Sequence, residues 1–438
     1  MKPRSLLAAA IVLAALSGVV WWAKKHPQAD SSLTATTTLK LVNVPTDQLQ
    51  QITIAKKDAP PISLSHQTGK WEITSPQNLP ADQDSIASIA SALSPLNADS
   101  VVDDKAADLG KYGLTSPSLK VDYKLKNGKS GSVSFGDDAP AGSLVYVKDG
   151  SNPKVYAAST STKTSFDKSV TDLRDKRLLT FNSDKLTSLE VGGKKGDFTF
   201  AKNNQGDWQI VKPAPYRADT FQVEDLLRKL QDARMDLSGQ DKDQKKNTTL
   251  FSLSQPFAAV KATDASGTQT LTVRKNANDY YAKSSVVTGV FKVPSDLGSS
   301  LDKSVDDFRN HKLFDFGFND PTKFEIRNGS SDSVYNKSGQ DWKLNGKTLD
   351  AASVQAVIDQ LRDLSASSFP ATGFVNPSIE ISVTSNNGKR FERVSFAKTG
   401  DHYTAKRDGE PSLYAVSAKG VDDAVKAFAS IKPAPAKH

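Results

Sequence analysis

Apolar and polar residues alternate in three stretches of the chain: "DQLQQITI" from Asp47, "DKLTSLEV" from Asp184 and "PTKFEIR" from Pro321. Such alternation predicts a half-buried β-strand in each. A second strand follows every time, carrying "GKWEI", "GDWQI" and "QDWKL", so Trp71, Trp208 and Trp342 mark the same place in three copies. The pattern then turns helical. "ADQDSIASIASAL", "ADTFQVEDLLRKL" and "LDAASVQAVIDQL" each offer an aspartate as N-cap. Ile86, Ile89 and Leu93 fall on one helical face, as do Val223, Leu226, Leu227 and Leu230, and again Val354, Val357, Ile358 and Leu361.

Proline-marked turns come next, in "YGLTSPS", "FSLSQPF" and "GFVNPSI". Hairpins follow, with Asn127-Gly128, Ser266-Gly267 and Asn387-Gly388 at their tips. Further strands lead to Tyr156, Phe291 and Tyr414. The stretch "FDKSVTDLRDKRLLTF" from Phe166 and its near-copy "LDKSVDDFRNHKLFDF" from Leu301 read as a second helix in which Phe166, Val170 and Leu173 match Leu301, Val305 and Phe308. This near-copy is the seam between repeats, and "GVDDAVKAFASI" takes its place in the third.

The pattern predicts an α+β fold of three tandem repeats, each a small antiparallel sheet with packed helices. The repeat units are residues 39–179, 180–314 and 315–431, and residues 432–438 are expected to be a disordered tail.

Before the repeats, residues 5–23 form an apolar run long enough to span hydrocarbon as a helix. Lys2 and Arg4 precede it, Trp21 and Trp22 close it at the level where amphipathic rings favour the interface, and Lys24 and Lys25 follow. Residues 1–25 are read as a signal anchor and 26–38 as a flexible tether rich in Ser and Thr. A cleaved signal peptide is the competing reading, with Ala15-Leu16-Ser17 as its processing site, although the apolar run continues beyond it. The short basic leader favours the amino terminus inside, which puts the bulk of the chain on the outer side of the membrane.

Composition narrows the chemistry. The chain has no cysteine, which excludes disulfides, thiolate zinc sites and a cysteine nucleophile. Its net charge of +8 comes from lysines interleaved with aspartates rather than gathered in a stripe, so nucleic acid is not an expected partner.

One constellation imitates an enzyme. Ser165-Phe166-Asp167-Lys168 fits the S-x-x-K pattern of serine acyl transfer, Lys398-Thr399-Gly400 spells K-T-G, and Ser385-Asn386-Asn387 loosely resembles S-D-N. The pattern recurs as Ser300-Leu301-Asp302-Lys303 at the same place in the next repeat, which suits a helix N-cap better than a nucleophile. His26, His66, His311, His402 and His438 are scattered without metal-ligand spacing. Asp103-Asp104, Asp137-Asp138 and Asp306-Asp307 read as solvated charges, and "DKDQKKN" from Asp241 lacks the ligands of a calcium loop. The three tryptophans read as core anchors, and Arg174 and Arg309 as partners of nearby carboxylates or covers for apolar surface. No catalytic, cofactor-binding or metal residue is therefore assigned, and no cofactor is expected.

On "MKPRSLLAAAIVLAALSG", "GKWEITSPQNLPADQDSIASIASALSPLNADSVV" and "LRDKRLLTF", the chain resembles the bacterial domain of unknown function 4340 family. The resemblance implies a companion of gliding-motility-type ABC transport systems, held in the inner membrane through residues 5–23 with its bulk in the periplasm. An ABC permease and another envelope subunit are then its expected partners. The expectation is a non-enzymatic scaffold subunit; the alternatives are a polymer- or lipid-binding envelope module and an atypical envelope hydrolase.

Overall fold

The computed structural model describes residues 39–140, 142–204, 206–238, 244–317 and 321–435. The expected anchor over residues 5–23 and the tether over 26–38 lie outside them. No helix among the described residues is long and apolar enough to cross a membrane. The chain divides into two compact units, one ending at Lys176 and the other beginning at Arg177.

The first unit is built on a nine-stranded antiparallel sheet. Its fourth strand in spatial order, Leu49–Lys56, turns Ile52 and Ile54 into the core and Thr53 out, as the period of two requires. It pairs with Ile62–Gln67 on one side and Leu119–Leu125 on the other, so two meanders meet at the strand that begins the repeat. The helix Gln83–Leu93 crosses between them and buries Ile86, Ile89, Ala90 and Leu93. Asp82 accepts the Ser85 N–H at 2.9 Å and starts that helix.

The second unit holds two more antiparallel sheets in the same strand order, of eight and nine strands. Thr220–Gln231 and Ala351–Asp363 repeat the crossing helix, with Asp219 and Asp350 as caps. Each of the three sheets has its own apolar cluster. Mixed α+β with antiparallel sheets is thus the architecture, but eight or nine strands make each sheet larger than the small one expected.

The eight-stranded sheet departs from its neighbours at one edge. In the other two sheets a strand after the crossing helix, Ser100–Asp103 or Ala366–Ser368, covers the last strand. Here the helix Gln244–Leu253 stands beside Val290–Val293, and the Gln244 side chain accepts the Val290 N–H at 3.2 Å. Polar groups of this edge are met by that helix at Val290 and by the Asp236 N–H, which donates to the Lys292 carbonyl at 3.0 Å, rather than by a paired strand. This corrects the turn expected in "FSLSQPF": Phe251–Leu253 end that helix and Gln255–Phe257 open the next strand.

The second helix at the seam is also corrected. Thr160–Phe166 ends at Phe166, and a separate short helix Val170–Leu173 starts from a capping box between Ser169 and Asp172. Ser295–Leu301 and the 3-10 turn Val305–Phe308 repeat this break, with Ser304 and Asp307 as the box. Only the third copy has one continuous helix there, Ala418–Ala429.

The seam itself is shared, which moves the repeat boundaries. In the second unit the Asp219 N–H donates to the Phe308 carbonyl at 2.8 Å and the Asn310 N–H to the Arg217 carbonyl at 2.9 Å, both backwards into the second sheet's repeat. The Leu313 N–H then donates forwards to the Leu364 carbonyl at 3.1 Å, and the Ala366 N–H to the His311 carbonyl at 2.8 Å. Leu313, Phe314 and Phe316 join the third core, and Leu178, Leu179 and Phe181 the second. The expected boundaries at 179/180 and 314/315 therefore fall inside segments that belong to the following repeat. Leu39–Val42, paired with Leu96–Ala98, takes the forward role for the first copy. The tail expected to be disordered from residue 432 supplies the backward role for the third: the Asp350 N–H donates to the Lys432 carbonyl at 2.8 Å and the Ala434 N–H to Thr348 at 2.9 Å.

Candidate functional site

Two strands of the third sheet carry a charge on their core-facing side. In Arg390–Thr399 the inward residues are Glu392, Val394 and Phe396; in His402–Arg407 they include Tyr403, Ala405 and Arg407. Glu392 is 6% exposed and Arg407 8%. Charges buried this deeply are retained only when paired and hydrogen-bonded. The Arg407 Nη2 donates to Glu392 Oε1 at 3.0 Å and its Nε to Glu410 Oε1 at 2.7 Å.

What these groups hold is the seam. Arg407 also donates to the Leu313 carbonyl, and Glu392 accepts the Asp315 N–H at 3.0 and 3.2 Å. Arg390 donates to the Asp315 carbonyl. From the second sheet's repeat, Arg217 donates to the Lys312 carbonyl and places its Nε 2.9 Å from Glu410 Oε1. The Tyr414 hydroxyl donates to Glu410 Oε2 at 2.5 Å. One carboxylate, Glu410, thus receives arginines from two repeats and a tyrosine.

The second sheet performs the same task with neutral side chains. There Gln269 accepts the Thr180 N–H at 2.8 Å and Ser284 donates to the Leu178 carbonyl. Arg309 adds an apolar clasp: its guanidinium carbon lies 4.0 Å from the Tyr216 ring centroid and 3.5 Å from that of Phe369, with Asp306 at 3.1 Å.

Burial works against ionisation of Glu410, but Arg217, then Arg407, and the Tyr414 hydroxyl outweigh it and hold its carboxyl below the usual glutamate range. For Arg407 burial is again the opposing effect, and Glu410 ahead of Glu392 keeps the guanidinium firmly charged. Burial first, then Glu410, pushes the Tyr414 hydroxyl up. In this clamp on residues 312–315, Glu410 and Arg407 are thereby kept charged at neutral pH, while Tyr414 keeps its proton and donates it in a hydrogen bond to Glu410.

The enzyme-like motif is taken apart by its geometry. Ser165 is not an N-cap as expected; it sits in the last turn of its helix and donates to the Ser161 carbonyl at 3.1 Å, while Ser159 is the cap. Ser300 donates to the Asp296 carbonyl at 2.9 Å, and Lys303 reaches Gln222 at 2.9 Å rather than the serine. Lys398 and Thr399 end a strand; Asn386 and Asn387 form a turn with left-handed φ of 49° and 51°.

Trp208 and Trp342 are core residues, whereas Trp71 is only partly buried, 5.1 Å from His66. Among the described residues Asp104 pairs with Lys154 and Asp306 with Arg309, and no group of three or more His, Asp or Glu could hold a metal ion. His311 bonds to the Ala366 carbonyl at 2.8 Å and His402 to Asp401 at 3.1 Å. His26, His438 and residues 241–243 lie outside the described residues. The clamp residues Arg217, Glu392, Arg407 and Glu410 were not singled out in the sequence. Their signal was a charged residue at an inward position of an alternating strand, at Glu392 and Arg407.

A family model described as "Domain of unknown function (DUF4340)" matches residues 71–208 and 208–380. No curated protein matches. Among solved structures, a crystal structure of the DNA polymerase sliding clamp from Pseudomonas aeruginosa with ligand aligns at 6% identity, covering 86% of this chain and 93% of that one. Its TM-score is 0.17, which carries no argument.

Proposed function

The chain belongs to the DUF4340 family, and from that premise we propose that it is a non-enzymatic envelope protein, anchored in the bacterial inner membrane, that serves an ABC-type transport system as a periplasmic scaffold subunit. The observation that carries this reading is the clamp. Arg217, Glu410, Arg407 and Glu392 commit four paired side chains to holding a linker between two sheets. A joint of that kind suits a body that transmits position, because buried ion pairs fix one arrangement more than they add stability. The apolar run over residues 5–23 supplies the anchor, and the family resemblance supplies the ABC permease and a second envelope subunit as partners.

Cross-linking of the full-length protein in native membranes, followed by purification in mild detergent and mass spectrometry, tests the proposal. Recovery of a permease and its ATPase in constant ratio is the expected result. Recovery of the chain without any membrane protein would overturn it.

A further inference from the structure

The outward face of the second sheet has an opening that its sister sheet fills. Across the third sheet, Asp332, Arg327, Glu380 and Ser395 stand side by side on neighbouring strands. Arg327 lies 3.6 Å from Asp332 and 3.9 Å from Glu380, so a guanidinium occupies the middle of the row. The same row in the second sheet is Asp197, Gly192, Ala259 and Thr272. The arginine is a glycine there and its second carboxylate an alanine, while the first carboxylate is kept.

The result is a cleft of about 750 Å³ whose floor is Gly192 and Ala259. A Cβ built on Gly192 would come 2.9 Å from Asp197 Oδ1, so the aspartate leans over the glycine. Asp197 has no ion pair among the described residues. On the wall, Glu190 and Lys261 already pair at 3.1 Å, and Lys194 and Lys212 stand on the rim without a partner among the described residues. In the first sheet the corresponding pair is Ala55 and Lys120, and Lys120 is held by Asp122 at 2.8 Å. In the second sheet Asp197 instead faces Gly192 and then Ala259 along its row, with no cation on it among the described residues.

We propose that this cleft receives an arginine side chain from another polypeptide, seated where Arg327 sits in the third sheet and paired with Asp197. The two rim lysines define the rest of the partner. They repel a uniformly basic segment and attract acidic residues, so the fitting sequence is an extended one with an arginine flanked by glutamate or aspartate. The inference deepens the scaffold reading by giving one of its contacts a chemistry.

The test is fluorescence anisotropy with a labelled acetyl-Glu-Gly-Arg-Gly-Glu-amide peptide and the full chain, at low salt, where exposed charge pairs are strongest. Binding is expected, about fivefold weaker when the peptide arginine is alanine, as one partly exposed pair allows. Asp197→Asn, which leaves the backbone and cleft shape alone, is expected to lower affinity by about the same factor. Gly192→Arg, which plugs the cleft as Arg327 does, is expected to lower it at least as far; its circular dichroism and melting curve check that it folds. No binding, or equal binding of the arginine and alanine peptides, would overturn the inference. Equal binding by Asp197→Asn and the unaltered chain would do the same. The scaffold reading stands or falls separately, on co-purification from membranes.

Discussion

Arg217 and Glu410 belong to different repeats, yet the Arg217 Nε lies 2.9 Å from Glu410 Oε1. The same oxygen is 2.7 Å from the Arg407 Nε, so one carboxylate balances two guanidinium groups. Glu410→Gln removes that balance while keeping the shape. Breaking a buried pair by removing one partner costs about 3–5 kcal/mol, and the residual exposure here places the expected loss at about 2–3 kcal/mol. Urea unfolding followed by tryptophan fluorescence, where Trp208 and Trp342 report on the second unit, should show its transition moving to lower urea. An unmoved transition would mean that the clamp contributes nothing.

Arg309 predicts a difference between two cations. Its planar guanidinium lies between the Tyr216 and Phe369 rings at 4.0 and 3.5 Å. Lysine keeps the charge but cannot stack as a plate. Arg309→Lys is expected to cost about 1–2 kcal/mol, the range of partly desolvated cation–π contacts. Thermal melting of Arg309→Lys and Arg309→Met checks this: if lysine behaves as arginine does, charge rather than stacking is what the site uses.

Asp350 caps the third crossing helix by accepting the Ser353 N–H at 2.8 Å. Asp350→Ala should cost about 1 kcal/mol, whereas Asp350→Asn, another good cap, should stay within a few tenths. Equal loss in both would assign the effect to charge at the helix terminus instead.

Ser165 offers the cleanest test of the enzyme-like motif. Its hydroxyl is engaged with the Ser161 carbonyl in the last turn of a short helix and its position is only half-buried, so Ser165→Ala should change stability by less than about 0.5 kcal/mol. A broad serine-reactive probe should label the two proteins alike. Labelling that disappears with the hydroxyl would revive a hydrolase.

Periodicity made the strands and the crossing helices legible, because Ile52 and Ile54, or Val354, Val357, Ile358 and Leu361, must share a face to be buried together. Asp82, Asp219 and Asp350 were legible as caps for a local reason: the bond spans three residues. The seam was half legible. "FDKSVTDLRDKRLLTF" was visible as a repeat, but its break at Ser169 and Ser304 depends on capping boxes that compete with helix continuation. Leu39–Val42 was missed as the first copy's seam strand because four residues carry little periodic signal. The clamp could not be assembled at all, since Arg217 and Glu410 meet only through tertiary packing, and each taken alone is an ordinary surface-type residue.

The clamp also predicts a response to acid. Glu410 titrates below the usual glutamate range in the folded chain, because its arginines and the Tyr414 hydroxyl outweigh the effect of burial. In the unfolded chain it returns to the ordinary value of about 4.3. A depressed folded value means the unfolded chain binds the proton more readily, so the stabilisation is complete above the unfolded value and is lost as pH falls through the folded one. Other carboxylates behave in the same direction, among them Asp172, drawn down by bonds from Ser169, and Asp307, where burial acts the other way but bonds from Ser304 outweigh it. Acid should therefore weaken both the unaltered chain and Glu410→Gln, but the altered chain less steeply, since its residue 410 cannot take up a proton. Urea midpoints of the two proteins, measured from neutral pH down to about pH 3, should converge as the acid end is approached. Parallel curves across that range would show that Glu410 carries no linked proton and that Arg217 and Arg407 do not hold it ionised.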